Sequence, residues 1–133
     1  MNTRLQLAEA TLHYQGDMQI FTAVSGPVEA LRELYLLIYR DDCFRGAGEL
    51  RLNMPFATGL EPEALLKAVC DALPTLDWTA PFLDILDELH ATDIAPAVRG
   101  LFDLALHDAI ARSNNESVTE LLGGRAAQAI DTN

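Results

Sequence analysis

The sequence predicts an α+β fold: a three-stranded antiparallel meander followed by a bundle of about three helices. Three observations carry this reading. Alternating or continuous apolar stretches fill residues 3–52, the pattern of strands. Apolar residues spaced three and four apart take over from 61 to 122, the pattern of helices. Strands and helices are therefore segregated along the chain rather than interleaved, as in α+β domains. The chain has 133 residues, half of them hydrophobic, which suits one domain with one core.

Residues 3–14 form the first expected strand. Ala8, Ala10, Leu12 and Tyr14 alternate with Glu9, Thr11 and His13. Leu5 and Leu7 lie on the opposite phase, so a bulge or a change of buried face is expected near Ala8. Met18 to Ala30 reads as a loop, punctuated by Gly26-Pro27. Leu34 to Tyr39 is continuously apolar, as in a central strand buried on both faces. Asp41-Asp42 makes the turn into a return strand, Phe44 to Leu52. Gly46 and Gly48 in that strand mark close packing or a bulge. They are not a phosphate loop, because the third glycine and the following helix are missing. Asn53 to Gly59 is a second loop, where Met54 and Phe56 are either core or partner-facing.

The first helix is expected from about Glu61 to Leu73, with Pro62 in its first turn and Pro74 ending it. Leu65, Leu66, Val69, Cys70 and Leu73 would form its buried face. A second helix runs from about Thr79 or Ala80 to Leu89, with Thr79 as N-cap and Trp78 as a packing anchor. The third begins at Pro96 and is apolar nearly all round, apart from the stripe Arg99, Asp103 and His107. Such a helix needs cover on most sides. Asn114 and Asn115 stop it. Ser117-Val118-Thr119-Glu120 is a capping box, and Gly123-Gly124 supplies a left-handed exit.

The net charge is −11, from 20 acids against 9 lysines and arginines. That balance argues against nucleic acid and anionic membranes as partners. Cys43 and Cys70 make no disulfide framework or metal-ligand spacing, and a reduced cytoplasmic setting fits. The start of the chain is too polar for a signal peptide, and no apolar run is long enough to span a membrane. Catalytic motifs are missing. Ser25 lacks the first glycine of a nucleophile elbow. Lys67 stands alone on a helix. Asp103 and His107, one turn apart, read as a structural pair without a nucleophile. Asp84, Asp87 and Glu88 have the spacing of a solvated helix face rather than a metal site.

Ala95-Pro96-Ala97, the helix Asp103-Leu104-Ala105-Leu106-His107-Asp108 and the exit Glu120-Leu121-Leu122-Gly123-Gly124 together resemble a known pattern. They are similar to the end of the N-terminal capping domain of the enolase superfamily. The likeness is to the mandelate racemase/muconate-lactonizing type, leaning toward dipeptide epimerases. Gly46-Ala47-Gly48-Glu49 resembles that family's glycine-rich hairpin, with Cys43 where glycine is usual. Phe21-Thr22-Ala23-x-x-Gly26 and Asn53 to Gly59 resemble its two specificity loops.

The resemblance implies a capping, substrate-specificity domain whose loops close over a catalytic (β/α)-barrel. Met18, Phe21, Thr22, Met54 and Phe56 would then be substrate-binding lid residues. The family's bases and its Mg²⁺ ligands stand on the barrel, so this chain is expected to carry no catalytic residue and no metal ligand. A barrel typically takes about 250 residues, and only nine follow Gly124 here. The implied partner is thus a barrel on another chain, or one removed. The complete enzyme would be a Mg²⁺-dependent epimerase, racemase or cycloisomerase. The alternative is a free-standing interaction module, self-associating as a homo-oligomer.

Overall fold

The computed structural model describes residues 2–22 and 26–125, with the side chain of Thr22 left aside. Strands β1 (Thr3–His13), β4 (Ala30–Arg40) and β5 (Cys43–Arg51) form an antiparallel sheet in the order β1-β4-β5. Between β1 and β4 the chain makes a second, two-stranded sheet from β2 (Ile20–Thr22) and β3 (Gly26–Val28). The stretch read as a plain loop is therefore a small hairpin. Among the described residues five α-helices follow: α1 (Pro55–Thr58), α2 (Pro62–Ala72), α3 (Phe82–Ala91), α4 (Pro96–Asn114) and α5 (Val118–Leu121). The three long ones are those the apolar spacing predicts. The architecture is α+β, as expected.

No bulge interrupts β1, whose register against β4 is continuous from Thr3↔Arg40 to His13↔Ala30. The phase change near Ala8 is a change of face. Leu5 and Leu7 pack toward the core, while Ala8 and Ala10 stand beside Tyr35 and Glu33. The irregularity lies instead between Ile38 and Tyr39, where β5 carries one extra residue, Arg45. β4 is central, with Leu34, Leu36 and Ile38 buried on the helix side. Its other face is only half-buried, at Tyr35, Leu37 and Tyr39. The hairpin turn puts Asp41 (φ 51°) and Asp42 (φ 61°) in the left-handed region. Aspartate tolerates that region better than most residues. Cys43 is then ordinary strand, opposite Arg40.

α4 lies across β5 at backbone distance. A Cβ on Gly46 would stand 2.5 Å from the Ala105 carbonyl oxygen, and one on Gly48 would stand 2.2 Å from that of Leu101. The glycine pair is therefore a seat for the helix. Around that seat α4 buries Val98, Leu101, Phe102, Ala105, Leu106, Ala109, Ile110 and Ala111. Full burial of each large side chain contributes about 1.5–3 kcal/mol. Cover is not complete, since Leu104 is 56% exposed beside the edge of β5. Trp78 packs edge-to-face on Phe102, with ring centroids 5.7 Å apart.

Local signals settle most helix ends. Asn115 (φ 58°) closes α4. The capping box at Ser117 and Glu120 is formed in both directions, and Gly123 turns left-handed at φ 77°. Thr79 does not cap α3. Its hydroxyl and its N–H both donate to Asp77 Oδ1, at 2.6 and 3.0 Å. Pro81 precedes the helix instead, which starts at Phe82. Cys70 is exposed rather than buried. The inward face of α2 is Leu65, Val69 and Ala72, and Cys70 is turned about 100° past Val69.

Candidate functional site

The β2–β3 hairpin and the segment after β5 meet at one end of the three-stranded sheet. One side chain ties them. Asn53 Oδ1 accepts the Arg32 N–H at 3.0 Å, and its Nδ2 donates to the Ala30 carbonyl at 2.8 Å. The loop after β5 is thereby stitched to the start of β4, which continues directly from the hairpin. Gln19 Nε2 donates to Glu29 Oε1 at 2.8 Å and closes the base of the hairpin. Beyond Asn53, Pro55 starts the single turn α1. The Thr58 hydroxyl bonds the carbonyl oxygens of Met54 and Leu60 at 3.2 and 3.0 Å.

Between the two segments lies a crevice of about 180 Å³. Its apolar wall is Ile20, Val28, Leu31, Met54 and Phe56, and its polar lining is Tyr14, Arg51 and Asn53. Of the residues expected as lid contacts, Met54 and Phe56 line it. Met18 does not: it sits at the other side of the hairpin base with His13, Asp17 and Glu29. Phe21 points away into solvent, 75% exposed. Thr22 is in β2, and its side chain lies outside the described residues, as do Ala23, Val24 and Ser25. Met18, Ile20, Phe21 and Phe56 are all large apolar residues with substantial exposure.

Two ion pairs frame this end. Arg32 donates to Glu9 Oε1 through Nε and Nη2, at 2.9 and 2.7 Å, and reaches Glu63 Oε1 at 3.2 Å. The Glu9 hydrogen bond raises the Arg32 pKa above the ordinary guanidinium value. Arg51 pairs with Glu33, its register partner on β4, through Nε at 2.6 Å. Glu33 is 1% exposed. Sequence reasoning missed Tyr14, Val28, Leu31 and Arg51, and it did not single out Ile20 and Asn53 within the two stretches it read as loops. Only Ile20, a β-branched residue between polar Gln19 and the Phe21 loop, carried a local signal.

The titratable groups elsewhere are structural. His90 Nε2 and His107 Nδ1 share the Asp103 carboxylate at 2.7 and 2.9 Å, joining α3 to α4. The expected Asp103–His107 pair thus has a third member. Glu88 accepts the Asp77 N–H at 3.1 Å. Among the described residues, no three His, Cys, Asp or Glu side chains are placed to hold a metal ion. No described helix is long and apolar enough to cross a membrane.

A meander with a helical layer on one face, and two segments converging at one end of the sheet, is the enolase N-terminal-domain fold. Solved structures place it there. A dipeptide epimerase from Enterococcus faecalis, complexed with Mg and the dipeptide L-Leu-L-Tyr, matches with a TM-score of 0.74 at 18% identity, over 90% of this chain. An enolase from Bradyrhizobium, complexed with magnesium and mandelic acid, matches with a TM-score of 0.63 at 18% identity, over 96% of this chain. The match spans 34% of the first protein and 36% of the second, so this chain corresponds to about a third of either. No protein-family model and no curated protein sequence matches the chain.

Proposed function

We propose that this chain is a single capping domain of a Mg²⁺-dependent enolase-superfamily isomerase, an epimerase, racemase or cycloisomerase. Its catalytic barrel would be a separate polypeptide region or chain. The observation that carries the reading is the convergence of the β2–β3 hairpin and the post-β5 segment, with Ile20, Phe21, Met54 and Phe56 gathered at one end. A lid of this kind works by excluding water and adding apolar contacts on closure. Met18, Phe21, Thr22, Met54 and Phe56 are its proposed contact residues. Met18 and Phe21, outside the crevice, would meet the barrel rim or the substrate only in the closed complex. The coverage of about a third of each solved enzyme supports the same reading.

Mg²⁺ chemistry, the stabilisation of charge on a substrate oxygen, would belong to the barrel. The described carboxylates and imidazoles of this chain do not fit as its ligands, and their hydrogen bonds serve the fold. The lean toward dipeptides comes from the epimerase likeness.

The test is reconstitution. The chain is mixed with a barrel region of the dipeptide-epimerase type, and the mixture is run on gel filtration. It is then assayed for Mg²⁺-dependent epimerisation of an apolar dipeptide. Co-elution and an activity that neither component has alone are expected. A mixture that neither assembles nor turns over overturns the proposal. Self-association of the chain through the same apolar end would favour an interaction module instead.

A further inference from the structure

The end of the sheet farthest from the crevice, at the Asp41-Asp42 turn, carries charges that the fold leaves unpaired. Arg4, Tyr39 and Phe44 form a row across β1, β4 and β5, each the register partner of the next. The Arg4 guanidinium carbon stands 4.0 Å from the centre of the Tyr39 ring. Tyr39 meets Phe44 edge-to-face, with centroids 5.8 Å apart. Arg112 extends the row, 5.0 Å from the Phe44 ring centre. Arg45, the extra residue of β5, joins this end: burial lowers the Arg40 pKa, Asp41 opposes the shift, and the charge of Arg45 adds to it. Arg4, Arg40, Arg45 and Arg112 therefore gather at one end of a chain of net charge −11. Arg4 and Arg45 have no ion pair among the described residues. A guanidinium stacked on a ring keeps its N–H edge open to a carboxylate.

The complement lies at the same end, on the other face of the sheet. Arg40 reaches through to Phe82, the first residue of α3, and so brings the first turns of that helix beside the turn. Phe82, Ile85, Leu86 and Leu89 are buried, which turns Leu83, Asp84 and Asp87 outward. Leu83 is 60% exposed. Neither aspartate pairs with a cation among the described residues. Asp41 is taken by the Asn2 N–H, and Asp42, exposed at the turn, adds to the acidic half. The basic row faces away from the helices and the acidic stripe lies among them, so one chain does not close these pairs itself. Two copies related by a two-fold axis would, basic half to acidic half in both directions.

We propose that this end of the domain is an interface between two copies of the chain. Leu83, Asp84 and Asp87 of one copy meet Arg4, Phe44 and Arg45 of the other, twice, about an axis near the Asp41-Asp42 turn. The exposed leucine and phenylalanine supply the apolar centre, and the charges set the partner and its orientation. The contact leaves the crevice free and does not depend on the capping reading.

Sedimentation equilibrium of the full chain tests it, in salt of about 0.15 M, where the repulsion between two acidic chains is screened beyond about 8 Å. Dimers are expected. Asp84→Arg/Asp87→Arg alone and Arg4→Glu/Arg45→Glu alone should each weaken them by at least about tenfold, because like charges then face each other. Mixed in equal amounts, the two variants should associate again, since an all-basic surface meets an all-acidic one in both contacts. Should either reversal fail to fold, Asp84→Asn/Asp87→Asn keeps the test, with a smaller loss expected. A wild-type chain that stays monomeric up to about 1 mM overturns the proposal. So does a mixture that stays monomeric, or neutral variants that dimerise like the wild type. A dimer unchanged by both reversals uses another surface, the β1 margin or the apolar lid end, and overturns it equally. Barrel assembly is scored separately by reconstitution, and its failure would leave this interface standing.

Discussion

A Cβ added to Gly48 would stand 2.2 Å from the carbonyl oxygen of Leu101. β5 and α4 thus meet with no side chain between them, and the long helix sits on the sheet at the distance this allows. Gly48→Ala should destabilise the chain by about 3 kcal/mol, the upper range for overpacking, because the obstacle is backbone. Gly100→Ala is the matched control. It sits on the same helix, exposed, with nothing within 4 Å of an added Cβ. That substitution should stabilise by roughly 0.5–1 kcal/mol. Urea unfolding of the two variants checks the pair, and equal effects would contradict the placement of α4.

Arg40 is the main polar fastener under the loop that leads into α3. Its Nη2 donates to the carbonyl oxygens of Trp78 and Ala80 at 3.1 and 2.8 Å, and Nε donates to Thr3 Oγ1 at 3.2 Å. The guanidinium carbon stands 3.8 Å from the centre of the Phe82 ring. Burial lowers its pKa from the ordinary value, but a guanidinium so bonded keeps its proton. Arg40→Met should cost about 2–3 kcal/mol, since two carbonyl groups lose a charged donor. Arg40→Lys should recover less than half of that, because one ammonium cannot reach all three acceptors. Thermal melts that show full recovery with lysine would refute this account.

These interactions explain where the sequence was legible. The glycine seat, the capping box and α4 were readable because each is signalled within a few residues. The β2–β3 hairpin was not, since Ile20–Thr22 and Gly26–Val28 are three residues each and too short for a period. Thr79 looked like a cap, but Pro81 sets the start of α3 and Asp77 takes the threonine first. Arg40 with Trp78, and Asn53 with Ala30, are separated by 38 and 23 residues, so only the folded chain pairs them. The crevice was half legible for the same reason. Met54 and Phe56 stand out as apolar residues in a loop, whereas Arg51 looked like any outward residue of a strand.

Acidification should loosen the α5 exit first. Backbone and side-chain hydrogen bonds from Ser117 hold the Glu120 pKa below the ordinary glutamate value. A depressed folded-state pKa means the stabilisation is complete above the unfolded value, about 4.3, and is lost as pH falls through the folded one. The protection factors of the Ser117 and Glu120 amides, measured against their intrinsic exchange rates, should therefore fall below about pH 4, ahead of those of the α4 amides. A Glu120 carboxyl that titrates at or above the ordinary value would contradict the cap.

Phe21→Ser should change the unfolding free energy by less than about 0.5 kcal/mol, because its side chain already faces solvent, whereas Phe56→Ser, half-buried in the crevice wall, should cost about 1 kcal/mol. Under the capping proposal the same variants should raise KM or weaken assembly in the reconstituted enzyme. A large loss of stability in either would mean that the residue belongs to the core.

Asp108 Oδ2 accepts the outward-facing N–H of Ala47 at 2.9 Å and also holds Arg112. One N–H on the outer margin of β5 is thereby occupied, whereas β1, at the opposite margin, has no neighbouring strand among the described residues. Growth of a ribbon through successive copies needs two receptive margins, and the Asp108 bond blunts one of them. Strand addition at β1 would terminate at a pair, and sedimentation would show dimers but no fibrils. Asp108→Ala should lift that stop.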